Sequence, residues 1–391
     1  ALANFEILRP DYEVSQEEAL EWIANAHSKA ESEKNGWDQE HQDLKEFHQN
    51  LKERIFKIGA GPGKVQKRGV QFRDVFHSDW DAMEIYQLQK HPEGSDHGHR
   101  IAFYDRVATG ILETFYPEGS LLPKHLIHVT CTGYSAPSAA QKIVSKRDFG
   151  SKTIVTHAYH MGCYGSISAI RIGLGFFHTP SPALPFPPID IVHTEICSIH
   201  MNPSLHRTDQ LVMQTLFGDG YIKYSLVSEQ EAEQSKGAHL KILSLHEETI
   251  PESLHCMSWQ CENWGMGMTL SKEVPVLIGR SLSSFLNHLI EQVGLDWKEL
   301  CETSFFAIHP GGPKIIEQIA DLLNLKPTQI QYSQSILREY GNMSSATLPH
   351  VWQQILDDPS VPFGAKIISL AFGPGLSISG GLFEKAISKA G

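Results

Sequence analysis

Residues 156–173, THAYHMGCYGSISAIRIG, pass from an apolar stretch through a glycine-cysteine pair into a pattern with helical spacing. KTIVTHA reads as a buried strand and the residues from Cys163 as a helix, so the cysteine is expected where strand gives way to helix. A thiol there faces the unpaired amides and positive end of the helix, which favour thiolate. Free cysteines are also among the most buried and inert side chains, so Cys163 alone does not decide between nucleophile and packing.

Outward from this stretch the same grammar repeats. HLIHVTCT from His125, a helix from Ser138, the Cys163 helix and the strand IDIVHTEI form one α/β set. The acidic stretch SEQEAEQSKGA, 228–238, separates it from a second set: the strand HLKILSL, a helix after Pro275, FFAIHP at 305–310, a further helix, and KIISLAF at 366–372. Two halves are therefore expected, 1–235 and 236–391. Residues 14–58 carry apolar positions at helical spacing and read as surface helices. GAGPGK at 59–64 lacks the ending of a phosphate-cradling loop and reads as a turn.

Composition narrows the partners. The 391 residues carry a net charge of −12, which argues against nucleic acid or an anionic membrane as main partner. The six cysteines are scattered, without the spacing of a disulfide framework or zinc site, and are expected as reduced thiols. No apolar run approaches the roughly 18 residues of a spanning helix, and ALANFEILRPDYE lacks the regions of a secretory signal, so a cytoplasmic location is expected. HGH at 97–99 sits in a polar stretch with no third ligand nearby, and no metal is expected.

A nucleophilic cysteine needs a base, and AIHPGG at 307–312 places His309 at the end of an apolar strand before a Pro-Gly-Gly turn. YGNMSSA at 340–346 places Asn342 on a glycine-containing turn before a helix. Each also reads as structure, a satisfied strand-end histidine and a plain turn.

Taken together, GC at 162–163, FGDG at 217–220, HPGGP at 309–313, YGNMSSA at 340–346 and FGPG at 372–375 resemble, in order and approximate spacing, the chalcone-synthase-like type III polyketide synthases. The resemblance covers about residues 125–385. It implies a thiolase fold, a duplicated five-layer αβαβα arrangement with two central sheets, and a homodimer. It also implies Cys163 as acyl-accepting nucleophile, with His309 its partner and Asn342 joining the histidine in an oxyanion hole. Such a thiolate has its pKa depressed to about 3.5–7.5, making it nucleophile and leaving group in one. Two fixed donors would stabilise the enolate left by decarboxylation of a malonyl thioester. Phe217 matches the gate of the substrate tunnel. Met268 falls at the second gate position, and Thr132, His200, Ser344, Gly311 and Gly312 are expected around the substrate. Arg54 and Lys57, with Lys64 nearby, align with the basic residues for coenzyme A.

The sequence departs from the family after the nucleophile, where Tyr164-Gly165-Ser166-Ile167-Ser168 and the preceding His160 suggest a reshaped acyl pocket. Ala136 stands where the plant enzymes send a methionine across the dimer, and Ala371 replaces a loop glycine. With Met268 softening the entrance, the small residues Gly165, Ser166, Ser168 and Ala136 are expected to leave an acyl tunnel for medium or long aliphatic starters. The expected reaction is decarboxylative Claisen condensation on a Cys-bound starter, giving an α-pyrone or resorcinol-type product, with no cofactor beyond the acyl thioesters of coenzyme A or an acyl carrier protein. The alternatives are a stand-alone ketosynthase joining two acyl chains, and a non-catalytic subunit that has kept the fold.

Overall fold

The computed structural model describes residues 1–177, 188–234, 237–291 and 293–387, so the expected division between 235 and 236 lies outside the described residues. In the first half the strands are β1 (Leu2–Leu8), β2 (Tyr12–Ser15), β3 (Lys67–Val70), β4 (His125–Thr130), β5 (Ile154–Tyr159), β6 (Ile189–Ile196) and β7 (Asp219–Leu226). In the second they are β8 (Ala238–Thr249), β9 (Met257–Cys261), β10 (Met266–Leu270), β11 (Phe305–Ile308), β12 (Lys366–Gly373) and β13 (Ser377–Ile387).

Nine strands form one mixed sheet in the order β11-β12-β13-β8-β1-β7-β6-β4-β5. The strand groups expected as two sheets are continuous, because β1 pairs with β7 and, through Leu2 and Leu240, with β8. Parallel pairing is confined to β4 with β5 and β6, and to β11 with β12. Every residue of β4 and β6 is buried, the polar ones included, as strands between two covered faces require.

Helices lie outside and between these strand groups. His97–Phe115 and Ala139–Lys146 cover the first group, and Val274–Glu291 with Pro313–Leu323 cover the second. Gly165–Phe177 touches β4, β5, β6, β7 and also β13, while Thr347–Asp357 touches β7, β8 and β11. These two form the middle layer of the expected five. One apolar cluster joins them to both strand groups, from Ile127 and Ile170 to Trp352 and Phe383. Each such fully buried large side chain contributes about 1.5–3 kcal/mol.

Local signals set the helix starts. Ser138 caps Ala139–Lys146 in a reciprocal box with Gln141, and Ser15 does the same with Glu18 for Gln16–Asn35. The surface helices expected over 14–58 are Gln16–Asn35 and Gln42–Ile58, and 59–64 is a turn. HGH opens the helix His97–Phe115, with Asp96 as cap. Among the described residues no helix is long and apolar enough to cross a membrane.

Candidate active site

The carboxyl ends of the parallel strands converge, as ligand sites in α/β sheets commonly require. β4 ends at Thr130 and delivers Cys131 and Thr132, β6 delivers Glu195 and Cys197, and β12 leads into Pro374. After β5 the chain turns through Gly162–Tyr164, a single 3-10 turn, into the helix Gly165–Phe177. Cys163 thus sits one turn ahead of the helix expected to open at it. Gly162 has φ +65°, and a Cβ there would lie 2.8 Å from Pro374 Cδ, so glycine alone suits both the backbone and the space.

Cys131, Thr132, Cys163, Cys197, Phe217, Met257, Trp259, Met268, Ser344 and Pro374 are among the residues lining one cavity of about 340 Å³, its open mouth included. Met268 and Trp259 are opposite each other in the β9–β10 hairpin that reaches over it. The expected gate residues Phe217 and Met268, together with Thr132 and Ser344, are therefore brought to Cys163.

A polar chain runs behind the thiol. The Ser344 hydroxyl lies 3.8 Å from Cys163 Sγ and 2.9 Å from Cys131 Sγ. Glu195, fully buried, accepts from the Cys131 amide at 3.1 Å, from Thr132 Oγ1 at 2.8 Å, from Thr130 Oγ1 at 3.2 Å and from the Ser345 hydroxyl. Asn342 Oδ1 accepts from the Ser344 amide at 2.9 Å, while its Nδ2 makes only a 3.5 Å approach to Gly311 O. The Asn342 amide and Ser344 hydroxyl both favour the thiolate of Cys163.

His309 directly follows β11, its amide bonded to Leu370 O at 2.7 Å and its ring against Gly311, whose carbonyl Asn342 Nδ2 approaches. Its ring is 1% exposed, and neither nitrogen has a partner among the described residues. The expected thiolate-imidazolium pair is absent in this state. Burial pushes the Cys163 thiol up to about 12 and the His309 imidazole down to about 3, so both rest neutral. The helix terminus invoked for a depressed thiol pKa does not offset that desolvation.

The other expected residues divide. Gly311 packs on the His309 ring, where a Cβ would lie 3.7 Å from Nε2, and Gly312 abuts Leu216. His200 bonds Thr132 O and the Met266 amide and lines a neighbouring chamber. Arg54 and Lys57 are exposed near the end of Gln42–Ile58, with Lys64 just beyond. Arg54 donates to His206 O and Thr208 Oγ1, and Lys64 pairs with Glu317. Gly165, Ser166 and Ser168, expected to open a tunnel, do not line the cavity. They face the middle layer, where a Cβ on Gly165 would meet Val129 and Ser345, and Ser168 bonds Glu247.

The apolar space lies elsewhere, in a second chamber of about 690 Å³, open mouth included, that shares Cys197, Phe217 and Trp259 with the first. Trp259 closes the partition, its indole N–H donating to Cys131 O at 2.6 Å. Sequence reading missed Glu195, Cys131 and Trp259. An acid near the end of the buried strand IDIVHTEI was a signal for Glu195.

Residues 241–387 match the family described as chalcone and stilbene synthases, C-terminal domain. Probable polyketide synthase 1 of Dictyostelium discoideum is 27% identical over 67% of the chain, which spans only 8% of that protein. The 1,3,6,8-tetrahydroxynaphthalene synthase of Streptomyces coelicolor is 25% identical over 80% of the chain and 79% of its own length. The crystal structure of the C-terminal type III polyketide synthase domain of Steely1, also from Dictyostelium, superposes with a TM-score of 0.79 at 20% identity, covering 99% of both chains. The chain has the thiolase fold of such type III polyketide synthase structures. These similarities agree with the resemblance to chalcone-synthase-like type III polyketide synthases that the sequence motifs carry, and the stand-alone ketosynthase alternative is not favoured.

Proposed function

We propose that the chain carries out decarboxylative Claisen condensation on coenzyme A thioesters. The observation that carries this reading is the Cys163 thiol in an apolar cavity, touched by Ser344 and favoured as thiolate by the Asn342 amide, with an unpartnered buried imidazole nearby. Cys163 Sγ attacks the starter thioester as its proton passes to His309, and that proton leaves with the coenzyme A thiolate. A malonyl thioester then loses carbon dioxide. His309 N–H and Asn342 Nδ2 donate to the enolate oxygen that develops. The enolate carbon attacks the Cys163 acyl carbonyl, the carbon–sulfur bond breaks, and a β-ketoacyl thioester two carbons longer departs.

The finer reading is a medium or long aliphatic starter and an α-pyrone or resorcinol-type product. Its support is the apolar chamber behind Phe217 and Trp259, which replaces the route first expected past Gly165 and Ser168. Arg54, Lys57 and Lys64 are the cations for the coenzyme A phosphates, and no further cofactor enters the reaction. A homodimer is part of the reading. Edge strand β5, with Ile154 54% exposed and Tyr134 beside it 62% exposed, supports it.

The test is mass spectrometry of products from purified protein offered malonyl-coenzyme A with acyl-coenzyme A or acyl-carrier-protein starters in parallel. Extended pyrones or resorcinols from the coenzyme A arm are expected. Products formed only from the carrier-protein arm, or none from either, would defeat the proposal.

A further inference from the structure

One buried cation lies behind the gate and the asparagine turn. Arg68, in β3, is 6% exposed, and its NH1 donates to Gln214 O and Phe217 O, both at 2.7 Å. Those carbonyls flank the turn that brings Phe217 from the helix Thr208–Gln214 to the cavity wall. The same side chain packs on the turn carrying Asn342. Gly341 has φ +70°, and a Cβ there would lie 3.0 Å from Arg68 Cγ and 2.7 Å from Leu216 O, so a larger residue would push the arginine and the turn apart.

The two turns are also tied directly, since the Asn342 amide donates to Leu216 O at 2.8 Å and the Gly218 amide to Asn342 O at 3.0 Å. Just ahead of β3, the Gln66 amide holds Arg338 O at 2.7 Å, fixing the end of the helix Pro327–Tyr340 that leads into Asn342. Burial pushes the guanidinium down to about 10 while Asp219 opposes the shift, so the group stays charged at neutral pH. Keeping a charge there is costly without a task, and here one terminal nitrogen of the guanidinium holds both carbonyls.

We infer that Arg68 is a positioning residue that sets the Phe217 gate and the Asn342 side chain in one register, holding the first turn by hydrogen bonds and the second by packing. It makes no hydrogen bond with Cys163, Ser344 or His309 among the described residues, and although its side chain also lines the chamber behind Phe217, its hydrogen bonds tie it to the gate turn. The inference rests on the proposed role of Asn342 in decarboxylation.

The experiment compares Arg68→Met and Arg68→Lys with the wild-type chain. Acyl loading of Cys163 is read by intact mass, carbon dioxide release from malonyl-coenzyme A by radiometric assay, and backbone mobility by deuterium exchange. In Arg68→Met, carbon dioxide release falls about a hundredfold, the scale expected when a catalytic group is displaced by about 1 Å, while loading persists. Arg68→Lys recovers part of the loss. Peptides covering 214–220 and 338–344 exchange faster in Arg68→Met, whereas those over β4 and β6 stay protected. Equal loss of loading and decarboxylation with faster exchange throughout would make Arg68 a general stability residue and overturn the inference. Unchanged exchange over both turns would overturn it too. A wild-type chain that releases no carbon dioxide would refute the proposed function instead, and the exchange pattern, which needs no turnover, would still decide on the clamp.

Discussion

Two strand ends lie behind the residues that line the Cys163 cavity, one reaching it through Cys131 and Ser345 and the other through Gly311 and Asn342, and they are finished differently. At the end of β6, Glu195 is buried among donors, with the Cys131 amide and the hydroxyls of Thr130, Thr132 and Ser345 all directed at its carboxylate. At the end of β11, His309 is equally buried and has no partner among the described residues. The rings of His27, His128, His193, His200 and His350 have partners, and in the buried His125 and His239 only Nδ1 is buried without a partner among the described residues, whereas both ring nitrogens of His309 are. Folding rarely leaves a buried polar ring unpaired, and where it does a missing ligand is a standing explanation. The contrast teaches that the first half builds the rigid wall of the site, while the second holds a donor in reserve for what enters.

The largest expected effect tests the reserved donors. Asn342→Ala is predicted to lower carbon dioxide release from malonyl-coenzyme A by about 10²–10³-fold, the usual loss for one oxyanion donor, while Cys163 still takes up the acyl group. Equal loss of both steps would make Asn342 structural.

The next prediction opposes the two strand ends. His309→Gln is expected to abolish most decarboxylation yet move the urea midpoint by no more than about 1 kcal/mol equivalent, because no protein hydrogen bond is lost. Glu195→Ala should do the reverse in kind, costing about 3 kcal/mol or more by leaving several buried donors unpaired. Matching stability losses in the two variants would erase the distinction.

Acid sharpens it further. Burial pushes His27, His128, His200 and His309 down to about 3 and His350 to about 4, and holds His193 well below the ordinary imidazole range. These groups bind fewer protons folded than unfolded below about pH 6.5, so their contribution is complete above that value and fades as pH falls toward 3. Asp219, raised to about 7, works the other way between about pH 4 and 7, as do the buried carboxyls of Asp190 and Glu195, also raised by burial, but they are fewer than the lowered imidazoles. Melting temperature should therefore fall steadily from pH 7.5 to 5.0. A flat profile would mean that these rings are hydrated in solution.

The smallest effect per step concerns the starter. Each methylene entering the chamber behind Trp259 is worth about 0.8 kcal/mol, roughly fourfold in the specificity constant, until the chamber is full. Starters graded from acetyl to long fatty chains should show that climb. A maximum at acetyl or at a phenylpropanoid starter would remove the aliphatic assignment and leave the thiol chemistry standing.

Much of this architecture is legible in the sequence because its signals are local. The buried runs at β4, β6 and β12, the Ser138 cap and the motifs around Cys163, His309 and Asn342 all declare themselves within a few residues. What is not legible depends on partners far away in the chain. β1 joins the two halves through Leu2 and Leu240, a pairing no window could reveal. Trp259 reaches the cavity only because a hairpin folds over it, and Gly165 and Ser168 face inward because the helix turns its small residues to the middle layer. The neutral state of Cys163 and His309 follows from burial depth, which residue type does not encode.

The central claim is that Cys163 carries the acyl chain. Intact-mass analysis after incubation with an acyl-coenzyme A should show one acyl adduct per chain in the wild type and none in Cys163→Ala, although Cys131 stands one hydroxyl away through Ser344. An adduct of the same yield in Cys163→Ala would place the nucleophile elsewhere and contradict the account.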